Sequence, residues 1–133
     1  MKYAIITTFI LNAFLLKSQD MPVMVFETKT FQFGKIKVGE KPSYTYIFTN
    51  KGNKPMNIQM VSGCDCSVLD WSQQTIYPQG KGFVKVTFNT LSLEKDEYSK
   101  PLKKYIDIVL KEFYAGKDYP ISDSLTFEIQ VVD

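Results

Sequence analysis

Apolar and polar residues alternate along most of this chain with a period of two, the spacing of strands that turn one face to a core and the other to water. Ser43 to Asn50 sets Tyr44, Tyr46 and Phe48 against Ser43, Thr45 and Thr49, with Ile47 the one apolar residue on the polar face. The same alternation places Val84, Val86 and Phe88 opposite Phe83, Lys85 and Thr87, Ile106, Ile108 and Leu110 opposite Tyr105, Asp107 and Val109, and Leu125, Phe127, Ile129 and Val131 opposite Thr126, Glu128 and Gln130. Between Phe31 and Glu40 the apolar positions are odd before Gly34 and even after it, a phase change at glycine that predicts a β-bulge. Pro22 to Thr30 reads as a short extended entry.

Turn chemistry separates these runs. Asn50-Lys51-Gly52-Asn53-Lys54-Pro55 predicts a connection at which the strand before it and the run of Met56, Ile58 and Met60 meet as consecutive strands. Val68 to Trp71 and Thr75 to Tyr77 are short apolar pieces that end at Pro78-Gln79-Gly80, where proline is preset for the second position of a turn and glycine suits the fourth. Residues 91 to 101 are the most charged segment and read as a solvated loop. About seven short strands with turns between them, and no amphipathic helix of any length, predict an all-β chain folded as an immunoglobulin-like β-sandwich. A small up-and-down β-barrel is the alternative fold.

The N-terminus carries a different pattern. Lys2 precedes a mainly apolar, uncharged run of 13 residues, Ala4 to Leu16, followed by Lys17-Ser18-Gln19 and the first acid, Asp20. A membrane span needs about 20 apolar residues, so this is the plan of a secretory signal peptide over residues 1–19, with a single domain over 20–133 and no membrane span after cleavage; the alternative is an uncleaved amphipathic or anchoring N-terminus. Export places the mature chain in a periplasm or on an outer cell surface. All 16 basic residues are Lys, two of them in the leader, so the mature chain balances 14 Lys against 14 acids. A nucleic-acid partner therefore has no compositional support. With no His and no Arg in the chain, the Ser-His-Asp triad and the bidentate phosphate fork are excluded. The expectation is a non-enzymatic protein with no catalytic residues and no cofactor.

The concentrated chemistry is Ser62-Gly63-Cys64-Asp65-Cys66-Ser67, which holds both cysteines of the chain. In an exported protein the simplest outcome is a disulfide between Cys64 and Cys66. Residues i and i+2 of an extended strand lie about 6.6 Å apart at Cα, near the upper limit for such a bond, so the backbone has to tighten around Asp65. A ring that small is a weak and readily reduced staple, which keeps a thiol-disulfide exchange role open. Two thiolates with the thioether of Met60 could instead hold Cu(I), while zinc lacks ligands; free thiols or pairing with another chain complete the alternatives. Trp71 reads as a core or end-cap residue.

A second feature is length. The connection from Lys111 to Asp123 has 13 residues where a hairpin needs two to five, and it contains Phe113, Tyr114, Tyr119 and Ile121. Large aromatic residues in a loop at the end of a sandwich are suited to binding a protein partner. The competing reading is that the two strands run on into a longer hairpin whose aromatics fold back over the core.

The order of several pieces, Phe31-Gln32-Phe33-Gly34-Lys35-Ile36, Tyr46 to Gly52 with Pro55-Met56-Asn57-Ile58, Gly63-Cys64-Asp65-Cys66, Ile76 to Gly80 and Val84 to Phe88, resembles the domain of unknown function 1573 family of bacterial envelopes. That family is akin to immunoglobulin-like domains of the abnormal-spindle and hydin type. Its members usually read Cys-Gly-Cys where this chain has Asp65 in the middle. The resemblance implies an immunoglobulin-like fold and an envelope setting of the kind common in Bacteroidetes, and it brings no established activity. The function expected is that of an exported protein-binding or structural accessory subunit in the envelope, with thiol-disulfide or copper handling at Cys64 and Cys66 as the alternative.

Overall fold

The computed structural model describes residues 20–133, so the leader expected over 1–19 lies outside the described residues. Eight strands form: β1 (Met24–Phe26), β2 (Thr30–Lys37), β3 (Ser43–Asn50), β4 (Ile58–Ser62), β5 (Ser67–Trp71), β6 (Lys81–Phe88), β7 (Pro101–Phe113) and β8 (Pro120–Val132). They make two four-stranded sheets, ordered β1-β3-β6-β5 and β2-β8-β7-β4. This is an immunoglobulin-like sandwich rather than a closed barrel. The extended entry before Thr30 contributes β1, which pairs antiparallel with β3.

The core lies between the sheets and is built from the faces that alternate. Tyr46 and Phe48 from β3, Val84, Val86 and Phe88 from β6, Ile106, Ile108 and Leu110 from β7, and Leu125, Phe127, Ile129 and Val131 from β8 are all buried. Each contributes about 1.5–3 kcal/mol by leaving water, which makes β7 and β8 the principal stabilising pair of their sheet. At one side of the sandwich Phe31 of β2 stacks on Tyr44 of β3, with centroids 3.7 Å apart, and so ties one sheet to the other. Gly82 sits opposite Phe48 in the β3–β6 register, and a Cβ there would collide with the Phe48 ring and with Cδ1 of Ile76. Its lack of a side chain lets the ring lie flat against the strand.

β2 runs parallel to β8 at the edge of its sheet, and its register shifts between Gln32 and Gly34, where Gly34 takes a φ of 74°. The bulge expected from the phase change is therefore present, and a residue in the left-handed region is what glycine accommodates at least cost.

The topology settles how three connections run. β3 and the run containing β4 do not form a hairpin at Gly52, because they belong to different sheets. The corner between them is held instead by Asn50, which is fully buried. Its Oδ1 accepts from the backbone N–H of Val23 (3.2 Å) and Gly52 (3.0 Å), and its Nδ2 donates to the carbonyls of Lys54 (2.8 Å) and Ile76 (3.0 Å). The segment from 91 to 101 is not a plain loop: it contains two single-turn 3-10 helices, Thr90–Ser92 and Lys95–Glu97, with Leu93 buried between them. Of the two readings of the connection from Lys111 to Asp123, the longer hairpin is the one that forms: β7 extends to Phe113 and β8 begins at Pro120. The turn at Tyr77 to Gly80 forms as expected, closed by the Gly80 N–H on the Tyr77 carbonyl at 2.7 Å, with Gln79 in its positive-φ position at 68°.

Candidate functional site

The cysteine pair occupies the passage between the sheets. β4 ends at Ser62 in one sheet and β5 starts at Ser67 in the other, so Gly63 to Cys66 carry the chain across the end of the sandwich. Those residues do not extend a strand. The Ser67 N–H donates to the Cys64 carbonyl at 3.2 Å, closing a turn, and the Ser67 hydroxyl donates to the same oxygen at 3.1 Å. Coiling the backbone around Asp65 brings the two Cα atoms to 5.1 Å, and a disulfide joins Cys64 to Cys66. The strand-like spacing of about 6.6 Å is thus replaced by a turn. Cys66 is buried and its carbonyl accepts from the Asn89 N–H at 2.7 Å, which pins the turn to the end of β6. Cys64 is half-exposed, and its sulfur lies 3.6 Å from the Ser67 hydroxyl.

With both sulfurs in the disulfide, neither is a thiolate available to a metal. Met60 stands on β4 opposite Val109, on the outer face of the sheet and exposed. No group of three His, Cys, Asp or Glu side chains among the described residues is placed to hold an ion. Asp65 and Asp70 are both exposed, and Asp70 spends one oxygen on the Trp71 N–H at 2.9 Å. Trp71 is half-buried and packs against the core.

The second candidate, the end of the β7–β8 hairpin, is shorter and stiffer than its sequence suggests. Tyr114 to Tyr119 form the connection, closed by the Tyr114 N–H on the Tyr119 carbonyl at 3.2 Å and the Lys117 N–H on the Tyr114 carbonyl at 2.9 Å. The Tyr114 and Tyr119 rings are tilted together with centroids 5.5 Å apart. The Tyr114 hydroxyl donates to the Ser122 carbonyl at 3.2 Å.

The four residues singled out here divide. Phe113 and Tyr119 are 53% and 50% exposed, Tyr114 is half-buried against the core, and Ile121 is 6% exposed. Ile121 is therefore a core residue of β8 and offers no surface to a partner. The outward positions of β7 run Tyr105, Asp107, Val109, Lys111 and Phe113, so on the outer face of this sheet apolar side chains alternate with charged ones, and Met60 lies beside Val109. The sequence signal was present: Tyr105 and Val109 share a polar-face parity that Phe113 extends, and Gly116 marks the turn.

Electrostatics add two groups. Burial, with Tyr44 adding to it, pushes the Tyr46 phenol well above its ordinary value, and its hydroxyl donates to the Thr126 carbonyl at 2.7 Å. Glu97 is held below the usual carboxylate range by the Glu94 N–H and then by Lys104, whose ammonium lies 3.2 Å away. Neither lies at the cysteine turn or the hairpin tip.

A family model described as "Protein of unknown function (DUF1573)" matches residues 24–110, which takes in the bulge, the corner at Asn50, the cysteine turn and most of β7. The chain belongs to this DUF1573 family. Its match ends before the hairpin tip, so the exposed Phe113 and Tyr119 lie outside the part shared with the DUF1573 model.

Among solved structures, the chain is similar to a protein of unknown function from Porphyromonas gingivalis W83, with a TM-score of 0.66 and 13% identity over 88% of this chain and 50% of that one. It is similar to the Vibrio cholerae VesB protease, with a TM-score of 0.62 and 10% identity over 80% of this chain and 31% of that one. It is also similar to the ASH/PapD-like domain 7 of human CEP192, with a TM-score of 0.60 and 10% identity over 89% of this chain and 91% of that one. The chain thus spans half or less of the length of the first two, and at such identities the likeness establishes the sandwich fold alone. No curated protein matches the chain.

Proposed function

We propose that this chain is an exported, non-enzymatic module of the bacterial envelope, carrying a signal peptide over 1–19, that binds another envelope protein through the tip of the β7–β8 hairpin. The observation that carries this reading is the pair of exposed aromatic residues at the hairpin tip, Phe113 at the end of β7 and Tyr119 in the connection, which two backbone hydrogen bonds hold. A rigid platform supports recognition because little side-chain and loop freedom is lost on contact. The charge balance of residues 20–133 and the absence of Arg and His in the chain suit contact made by shape and apolar area rather than by electrostatic steering.

The test places a photo-crosslinking residue at Tyr119 and, separately, at Thr45 on the outer face of the other sheet, in cells of the native host. A discrete adduct is expected from position 119 and none from position 45. Introducing Phe113→Ser should remove the adduct while leaving the melting temperature nearly unchanged, since the ring is exposed. An adduct that persists in Phe113→Ser, or one that forms equally from Thr45, overturns the reading.

A further inference from the structure

The disulfide in the turn between β4 and β5 contributes little to the fold that contains it. It joins residues two positions apart, so it ties no distant segments together. The turn is closed by the Ser67 N–H and hydroxyl on the Cys64 carbonyl and pinned to β6 by the Asn89 N–H on the Cys66 carbonyl, contacts that need neither sulfur. Thermodynamic reciprocity runs the other way as well: a bond that stabilises the fold weakly is itself stabilised weakly by the fold. For a ring of three residues, chain entropy makes the bond only about fifteenfold harder to reduce in the folded chain than in the unfolded one. A loop of roughly 15 residues would make it more than about a hundredfold harder.

Access singles out one of the two sulfurs. Cys66 is 6% exposed, whereas Cys64 is half-exposed, with the Ser67 hydroxyl 3.6 Å from its sulfur. Two uncovered apolar side chains accompany the turn. Val68, 68% exposed, follows Ser67 on β5, and Leu91, 62% exposed, donates its N–H to the side chain of the same Asn89 that binds Cys66. A protein surface can bury that apolar area, and a small thiol cannot.

Charge sets the direction of exchange. From Pro55 to Gly80 the chain contains no Lys, and Asp65 stands between the two cysteines, so the sequence places no cation beside either thiol to favour its thiolate. The pair is suited to accept an attacking thiolate rather than to supply one.

We infer that the Cys64–Cys66 disulfide is a reversible electron acceptor for the dithiol of a redox partner protein, with Cys64 as the sulfur attacked. One thiolate of the dithiol attacks Sγ of Cys64, the bond between the cysteines breaks, and its electron pair leaves on Sγ of Cys66, which takes a proton from water. The second thiolate then attacks the partner's own sulfur in the mixed disulfide and releases Cys64, which is protonated in turn. Two electrons pass: the cysteine pair becomes two thiols and the partner's dithiol becomes a disulfide. This site shares no residue with the hairpin tip, so either reading can fail without the other.

The probes are dithiothreitol and thioredoxin, the latter both intact and as a variant that keeps only its attacking cysteine. Each is added to the purified, oxidised protein, and free thiols are counted by alkylation and mass spectrometry. Dithiothreitol should release two thiols from the folded protein at a ratio of reduced to oxidised reagent about fifteen times that needed in urea. Near-ultraviolet circular dichroism should be retained throughout. Intact thioredoxin should react about tenfold faster than dithiothreitol at equal dithiol concentration, and its single-cysteine variant should be trapped on Cys64. A mixed disulfide on Cys66, or none at all, overturns the inference. So does a ratio about a hundredfold or more above that needed in urea, a thioredoxin reaction no faster than that of dithiothreitol, or reduction that proceeds only with loss of the near-ultraviolet signal.

Discussion

Two buried polar side chains determine how individual residues serve the fold. Tyr46 buries its ring in the core and donates its hydroxyl to the Thr126 carbonyl across the sandwich at 2.7 Å. Because its phenol is raised in the folded state above about 10, its value in an unfolded chain, the contribution of this group is complete below that pH and is lost as the pH rises through it. Tyr46→Phe should cost about 1 kcal/mol at pH 7, the worth of one hydrogen bond. Urea titrations of parent and variant should also show the parent losing stability more steeply above pH 10. Asn50 is the stricter case, since four hydrogen bonds use both ends of its amide. Asn50→Asp keeps the volume, removes both donors and sets a carboxylate against the carbonyls of Lys54 and Ile76. A loss of about 3 kcal/mol or more is expected at neutral pH. Burial raises the introduced carboxyl, so the deficit should shrink as the pH falls towards 4 and the group is protonated.

At the scale of elements, the edges and the crossing turn govern behaviour. The exposed strand edges are each interrupted: β2 by its bulge at Gly34, β4 by a register shift between Ile58 and Met60, β1 by a length of three residues, and β5 by Asp70 capping the Trp71 N–H. Such devices discourage the addition of a foreign strand and direct recognition to side-chain surfaces such as the hairpin tip. The disulfide closes a ring of three residues, for which chain entropy supplies only about 1.6 kcal/mol. The Cys66 carbonyl and the Ser67 hydrogen bonds hold the turn without it. Reduction, or replacement of both cysteines by serine, should therefore lower the melting temperature by under about 10 °C while the near-ultraviolet circular dichroism is retained. A larger fall would mean that the disulfide, rather than the hydrogen bonds, holds the sheets together at this end.

Over the described residues the chain changes sheet five times, at β1 to β2, β2 to β3, β3 to β4, β4 to β5 and β6 to β7. Neither sheet can detach while the other stays folded, so calorimetry on residues 20–133 should give equal calorimetric and van't Hoff enthalpies in a single transition. A second transition would show that the β7–β8 pair survives alone. What the amino-acid sequence determined by itself was local. The core faces of β3, β6, β7 and β8, the bulge at Gly34 and the turn at Pro78 were all legible, because each depends on side-chain alternation or on the backbone freedom of one residue type. The cysteine pair was legible as a site, but its turn was not, since Ser67 closes it through a backbone bond that spacing alone does not reveal. Sheet membership was decided only by the tertiary structure: the same polar corner after Asn50 could have closed a hairpin, and the buried amide carried the chain to the other sheet instead. The surface was decided there as well. Phe113, Tyr119 and Ile121 are alike in the sequence as large apolar residues, and only the continuation of the β7–β8 ladder exposed the first two and buried the third, because backbone hydrogen bonds between distant segments are blind to the side chains they carry.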